Sequence, residues 1–457
     1  MAAAKQGYTG NDGNRDRLLQ DKLVRLWARL TRERELPPLD RWLGRELSDL
    51  DGLPRADRLL LGDLVADGVR YGALTLFCEA WRQDGWQDGA DPRPRLQAWA
   101  DVEGPELWRR LCRQAVPVVF FWTFMRKREQ GAVLPPISPP GPGALEVWRA
   151  VKTWAPAGDD PAARTLWAGL PVPLAPLVGE RAVLAGWTAA DGLAFLDQHA
   201  SRPPLWLRLA GEEHRRAVVG ELTGQGFLIT AEQGLALAVT GTRGIYELAC
   251  HKDGRIDVQD LASQEIGQAV DARPGLMIWD CCAGAGGKSL QLAAALGGTG
   301  AVHATDIFEG KLKDLRRRAR RAGWANLRAQ TWDGARVPDF GAEVNSRGGF
   351  DRVLVDAPCS GSGTWRRNPD GRLRFAADQL DDLAAVQRSL LETAAGAVRP
   401  GGLLVYATCS WLRAENEDVV AAFLAARPEF QLQRQGIHGN PAADADTTFT
   451  AVLARSA

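Results

Sequence analysis

The stretch Leu276-Met277-Ile278-Trp279-Asp280-Cys281-Cys282-Ala283-Gly284-Ala285-Gly286-Gly287-Lys288-Ser289 decides the fold. An apolar run of strand character ends on an aspartate and passes directly into closely spaced glycines. A buried parallel strand hands over to a helix in this way in nucleotide-type α/β sheets. Two phosphate-binding loops fail against the pattern. A Walker A loop needs glycine where Cys282 stands, and the dinucleotide fingerprint needs a third glycine where Ser289 stands. What remains suits a ligand approached closely by backbone but carrying no phosphate. Downstream, strands alternate with helices, and the runs 276–280, 301–306, 352–356 and 403–408 read as strands of a parallel, doubly wound sheet.

The carboxylates narrow the ligand. Asp306 ends the next strand, about one βαβ unit later, where an acidic side chain can hold the two hydroxyls of a ribose. Asp333, in Thr331-Trp332-Asp333-Gly334, follows a third strand and is placed to reach an adenine amino group. S-adenosyl-L-methionine has a ribose, an adenine, a cationic sulfonium and no phosphate, so it is the expected cofactor. No metal is expected.

Two cysteines supply the chemistry. Cys359 lies in Asp356-Ala357-Pro358-Cys359 and Cys409 in Ala407-Thr408-Cys409-Ser410, each after an apolar strand. Carbon 5 of cytosine is a poor nucleophile. A thiolate adding at carbon 6 makes carbon 5 enamine-like, so that it can accept a methyl group. A base must then remove the carbon 5 proton so that the thiol can leave. Two thiols at adjacent strand ends can divide these labours, and Asp356 can hydrogen-bond the ring. Taken alone, a free cysteine is usually a small buried apolar residue. Here both sit among Pro, Asp, Ser and Gly at strand ends.

These residues carry a family resemblance. The run Asp356-Ala357-Pro358-Cys359-Ser360-Gly361-Ser362-Gly363-Thr364-Trp365-Arg366-Arg367-Asn368-Pro369-Asp370 resembles motif IV of the RsmB/Nop/Sun (Fmu) RNA 5-methylcytosine methyltransferases. Tyr406-Ala407-Thr408-Cys409-Ser410, with Glu415-Asn416-Glu417 after it, is similar to their motif VI, and Gln259-Asp260-Leu261-Ala262-Ser263-Gln264 is similar as well. The resemblance runs from about Leu205 to the C-terminus. It implies that Cys409 is the nucleophile and that Cys359 assists product release. It also implies that Cys282, Ala283, Gly284, Ala285, Gly286, Gly287, Lys288, Asp306, Asp333 and Asp356 contact the cofactor or sit at its edge. The family loop usually has Pro where Ala285 stands and Thr where Ser289 stands. Its usual Asp-Gly-Phe-Phe is here Asp446-Thr447-Thr448-Phe449, read as a structural strand.

Outward from this core, the 457 residues call for two or three domains. Leu18, Leu19, Leu23, Leu26, Trp27 and Leu30 begin a helical pattern that continues to about Gln130. Residues 1–133 are expected to be a helical domain, and the run from Ala56 to Arg70 resembles the NusB-like domain of bacterial members of the family. Residues 134–203 read as a Pro-rich linker and connecting segment, 204–258 as a small α+β RNA-binding module and 259–457 as a Rossmann-like class I methyltransferase domain. The expected fold class is α/β, with the Rossmann-like domain last.

The implied activity is S-adenosylmethionine-dependent RNA cytosine-C5 methylation. The substrate is ribosomal RNA or an assembling small ribosomal subunit. Transfer RNA, or a non-catalytic assembly factor that binds RNA and cofactor, are the competing readings. Formal net charge is zero, so any basic groove is local. Arg366 and Arg367, beside motif IV, are the expected RNA contacts, and Trp365 is placed either to stack on a flipped base or to pack in a core. The run of Arg316, Arg317, Arg318, Arg320 and Arg321 reads chiefly as a solvated helix face. Seven cysteines without a CxxC pair support neither a disulfide framework nor a zinc site. Met1 to Arg15 is polar, and no run of about 18 apolar residues occurs. A reducing cytoplasm and a monomer are the expectation.

Overall fold

The apolar periodicity of the N-terminal region becomes helix. In Gly13–Leu30, residues Leu19, Leu23, Leu26, Trp27 and Leu30 share one buried stripe, the spacing a 3.6-residue turn requires. Helices Arg55–Arg70, Gly72–Gln83 and Val116–Glu129 follow. Their large side chains pack ring on ring: Trp27 meets Phe120 edge-on with centroids 5.2 Å apart. The computed structural model describes residues 13–457 except 51, 88, 136, 158, 242 and 243. Most of the polar start read over Met1 to Arg15 therefore lies outside the described residues, as does Pro136 of the Pro-rich tract.

The chain divides into two units. One runs up to Arg202 and takes in Trp365–Ala377, and the other comprises Pro203–Thr364 and Asp378–Ala457. This corrects the reading of 134–203 as a linker. The stretch before Ala144 is irregular. Helices Ala144–Ala157, Pro161–Trp167, Ala175–Leu184 and Ala189–His199 fill the rest, and Val147, Trp148, Val151, Leu166 and Trp167 join the apolar core of the helical unit. The prolines misled because they open helices instead of breaking them. Pro161 and Pro176 stand in first turns, where no N–H is needed, and Asp160 caps the former through the N–H groups of Ala162 and Ala163.

The second unit begins with a small antiparallel sheet of β1 (Leu205–Leu209), β2 (Leu228–Gln233), β3 (Ala236–Thr240) and β4 (Ile256–Val258) in the order β2-β3-β1-β4. Alternation sorts its faces. Leu207, Leu209, Leu237 and Val239 pack on Val218 and Leu222 of helix Arg215–Gly224. Trp206, Ala236 and Ala238 pack on Leu261 and Ala445.

The main sheet follows: β5 (Met277–Asp280), β6 (Ala301–Asp306), β7 (Leu327–Thr331), β8 (Phe350–Asp356), β9 (Val398–Thr408), β10 (Phe430–Gly439) and β11 (Thr447–Arg455). Among the described residues its order is β10-β11-β9-β8-β5-β6-β7. β5 to β9 run parallel, while β11 lies antiparallel between β9 and β10. Both faces are covered, which is why the central strands are continuous apolar runs. Met277, Trp279, Val353, Val355 and Leu404 face helices Gln379–Ala395 and Glu417–Ala426 through Leu391, Val419 and Phe423. Ile278, Val302, Leu354 and Val405 face Ile266, Leu292 and Leu296. Among the described residues, no helix is long and apolar enough to cross a membrane, and no cluster of metal-ligating side chains occurs.

Candidate active site

The strand order places β5 centrally, with β6 and β7 to one side and β8 and β9 to the other. Ligands of open α/β sheets bind at the carboxyl ends of the strands where the order reverses, here between β5 and β8. Asp280, Asp306, Asp356 and Thr408 end strands at this edge.

The glycine loop is pinned to β6. Ala283 N–H donates to Thr305 O (2.8 Å), and Gly284 N–H donates to Asp306 Oδ2 (2.9 Å). Gly286 precedes helix Gly287–Ala295 in the left-handed region at φ 89°. A Cβ on it would lie 2.6 Å from Leu315 Cγ, so glycine serves both conformation and close approach there. Open space lies beside Gly284 and Gly287. Asp306 spends one acceptor site per oxygen on Gly284 N–H and Phe308 N–H (both 2.9 Å), leaving lone pairs for a diol. The next two side chains, Ile307 and Phe308, are 63% and 59% exposed, a flat apolar surface of the kind a purine covers. Cradle, carboxylate and apolar shelf fit an adenosine ligand. Asp333 is exposed and accepts Ala335 N–H (3.0 Å). Its neighbour Trp332 donates its N–H to Asp306 O (3.2 Å), which keeps Asp333 at the same edge.

Behind the loop, Asp280 is fully buried. Its Oδ2 accepts from Ser289 Oγ (2.6 Å), and its Oδ1 has no partner among the described residues. Burial pushes its pKa up to about 7, against the Ser289 hydrogen bond. Burial also raises the Cys282 thiol, and the charges of Asp280, Asp356 and Asp306 raise it further. Lys288 Nζ pairs with Asp356 Oδ2 at 2.7 Å. Burial works against that ammonium, but the Asp356 charge and hydrogen bond outweigh it, and the Lys288 pKa lies above its ordinary value.

The two expected thiols come together. The β8–β9 ladder continues through Ala357 N–H to Ala407 O (2.9 Å), so the turns after the two strands are neighbours. Cys359 Sγ and Cys409 Sγ stand 3.3 Å apart. The hydrogen bond with Cys409 raises the Cys359 pKa well above its ordinary value, and burial and the charges of Cys409 and Glu415 add to it. A polar frame locks both turns. Gly363 N–H donates to Cys409 O (2.9 Å); a Cβ there would lie 1.8 Å from Thr447 O, so only glycine fits. Ser362 Oγ bonds Ser410 Oγ (2.9 Å), and Asn416 Nδ2 donates to Ser410 O (2.9 Å). Glu415 accepts from Ser360 N–H (2.7 Å), Ser360 Oγ (2.6 Å) and Gln387 Nε2 (3.1 Å). Sequence reasoning gave Glu415, Gln387 and Ser289 no role; motif VI held the only signal, for Glu415.

One expectation fails, and the open choice for Trp365 falls to its core alternative. Arg366 is fully buried; its guanidinium donates to Gln198 O (2.7 Å) and Gln198 Oε1 (3.0 Å) within the helical unit, so it is no RNA contact. Trp365 is 1% exposed and packs edge-on against Phe375, which leaves no face for a flipped base. Arg367 is half-buried in the same segment. The arginine run also divides. Arg318 and Arg321 grip buried Asp257 (2.8 and 3.0 Å), and Arg318 also holds Ala285 O (2.6 Å); Arg317 and Arg320 are exposed.

Residues 268–454 match the family model described as 16S rRNA methyltransferase RsmB/F. The probable ribosomal RNA small subunit methyltransferase B of Bacillus subtilis is 32% identical over 260 residues, 56% of each chain. The ribosomal RNA small subunit methyltransferase B of Vibrio cholerae is 35% identical over 242 residues, 52% of this chain and 54% of that one. The chain thus spans about half the length of the curated relatives it matches. Among solved structures, PH0851 superposes with a TM-score of 0.66 at 23% identity, over 94% of this chain and 98% of that one. A methyltransferase homologue from Pyrococcus horikoshii gives 0.53 at 21%, over 65% and 99%. These likenesses bear on the fold alone, a Rossmann-like α/β sheet. Residues 268–454 are thus similar to the RsmB/F methyltransferases.

Proposed function

We propose that this protein is an S-adenosylmethionine-dependent RNA cytosine-C5 methyltransferase acting on small-subunit ribosomal RNA through a covalent Cys409–cytosine adduct. The observation that carries the reading is the pair of thiols 3.3 Å apart at adjacent strand ends, beside a loop whose Lys288 is paired with Asp356. The cofactor, S-adenosylmethionine, supplies an electrophilic methyl group. Cys409 adds through Sγ to carbon 6 of the ring, which makes carbon 5 nucleophilic. Asp356, held by Lys288, meets the ring nitrogen or amino group and stabilises the charge of the adduct. Once carbon 5 is methylated, Cys359 takes part in removing its proton, and the carbon 6–sulfur bond breaks. The names of the relatives support ribosomal RNA. In the same reading residues 204–258 are the RNA-binding module, 259–457 the catalytic domain apart from 365–377, and the helical unit is NusB-like.

The test compares Cys359→Ala and Cys409→Ala incubated with cofactor and cellular RNA. The readout is denaturing gels for covalent protein–RNA complexes. Cys359→Ala is expected to accumulate a shifted band and Cys409→Ala none. If neither traps RNA while the unmodified protein still methylates it, the thiol mechanism is wrong. Methylation confined to transfer RNA replaces the substrate. Binding of RNA and cofactor without transfer favours the assembly factor.

A further inference from the structure

The mechanism above uses Cys359 and Cys409 one at a time, as reduced sulfurs, yet the fold holds them as a pair. Their Sγ atoms stand 3.3 Å apart. Both side chains are half-buried, so a solute as small as a peroxide reaches them. A disulfide joins sulfurs at about 2 Å, which leaves a gap on the order of 1 Å to close. The backbones are close for a reason of topology. β8 and β9 are paired through Asp356 and Ala407, and paired strands lie about 4.8 Å apart. Ala357 N–H extends the ladder to Ala407 O (2.9 Å), two residues before each cysteine. The turns are then fixed separately. Gly363 N–H holds Cys409 O (2.9 Å), and Glu415 takes Ser360 N–H (2.7 Å) beside Cys359.

We propose that Cys359 and Cys409 form an oxidative modification site that takes a hydroperoxide, each sulfur serving as the resolving thiol of the other. In the first step one sulfur attacks a peroxide oxygen. An S–O bond forms, the O–O bond breaks, and the departing oxygen takes the thiol proton and leaves as water. In the second step the other sulfur attacks the sulfenic acid. The S–S bond forms, the S–O bond breaks, and hydroxide leaves as water with the second thiol proton. Two thiols are oxidised by two electrons, and hydrogen peroxide is reduced to two waters. Joined sulfurs can neither add to carbon 6 nor assist release, so oxidation suspends methyl transfer and a dithiol reductant restores it; this consequence rests on the catalytic reading above. Pairing also keeps the nucleophile from the irreversible sulfinic and sulfonic stages, which a sulfenic acid without a neighbouring thiol enters.

The test treats the reduced full chain, without RNA, with hydrogen peroxide. Remaining thiols are blocked with iodoacetamide, and the peptides are mapped by mass spectrometry without reductant. The peptides of Cys359 and Cys409 are expected joined, lighter by two hydrogens than their reduced sum. Dithiothreitol should return both as thiols, and buried Cys78, Cys250 and Cys281 should stay unlinked. Under the same treatment Cys359→Ala should lose its Cys409 thiol to acids that dithiothreitol does not recover. Peroxide that leaves the pair unlinked in the unmodified protein, whether unreacted, overoxidised or joined to Cys282 instead, overturns the proposal even where the variant fails to fold. Methyl transfer to cellular RNA then separates the two readings. Transfer lost on linkage and regained on reduction upholds both. Linked protein that still transfers sinks the thiol mechanism and leaves the modification site standing.

Discussion

Asp280→Asn should make the cofactor loop more stable, and increasingly so as pH rises. Asp280 has an ordinary pKa of 3.8 and is held near 7 by burial in the folded protein. Between those values the folded state keeps a proton that the unfolded chain has lost, so stability falls as pH increases. The stabilising contribution of the bound proton is whole below about pH 3.8 and gone above about pH 7. At roughly 1.4 kcal/mol per pH unit, the full penalty is about 4 kcal/mol, of which less than half is already present at pH 5. Asparagine keeps an acceptor for Ser289 Oγ and carries no charge. The gain over wild type should therefore grow by about 2–3 kcal/mol between pH 5 and pH 8, on the order of a hundredfold in exchange protection. Hydrogen exchange of the peptide spanning 276–290, compared between the two proteins at each pH, cancels the intrinsic pH dependence of exchange. A ratio that is the same at both pH values would refute the reasoning. It would mean that Asp280 is already ionised in the fold, with its unpartnered Oδ1 solvated.

Other substitutions separate positioning from packing. Gly286→Ala places a Cβ 2.6 Å from Leu315 at φ 89°; it should cost about 1–2 kcal/mol from conformation alone and weaken cofactor binding in calorimetry. Asp257→Asn leaves Arg208, Arg318 and Arg321 without their shared carboxylate. A loss on the order of 3 kcal/mol should appear as faster exchange in both the small module and the loop that Arg318 holds. Arg366→Met should lower the melting temperature while leaving the salt slope of RNA binding unchanged. A phosphate contact would reduce that slope by about 1.

The parts legible in the sequence were those whose physics is local. β5, β6, β8 and β9 announced themselves because a parallel strand buried on both faces is an uninterrupted apolar run. The carboxylates ended up at one edge because each closes such a run. β10 gave no such signal, since Gln431 to Gln435 face solvent at a sheet edge. Arg366 was misplaced because neighbourhood in sequence was taken for neighbourhood in space. The chain leaves the second unit after Thr364, five positions beyond Cys359. Glu415 stayed without a role because its partners Ser360 and Gln387 lie 55 and 28 positions away, beyond any window a periodicity argument scans.

That excursion of the chain also bears on how the protein is made. Residues up to Arg202 leave the ribosome first, yet the helical unit includes Trp365–Ala377, and Leu373 belongs to its apolar core. At about 5–20 residues per second, the wait from Arg202 to Trp365 is on the order of ten to thirty seconds. Through that interval the nascent helices carry an unfilled apolar slot against Gly104 and Gly169, whose missing side chains make room for Arg372 and Leu373. Arrested nascent chains ending before Trp365 should be cut by protease in the helical region, and those extending past Ala377 should resist.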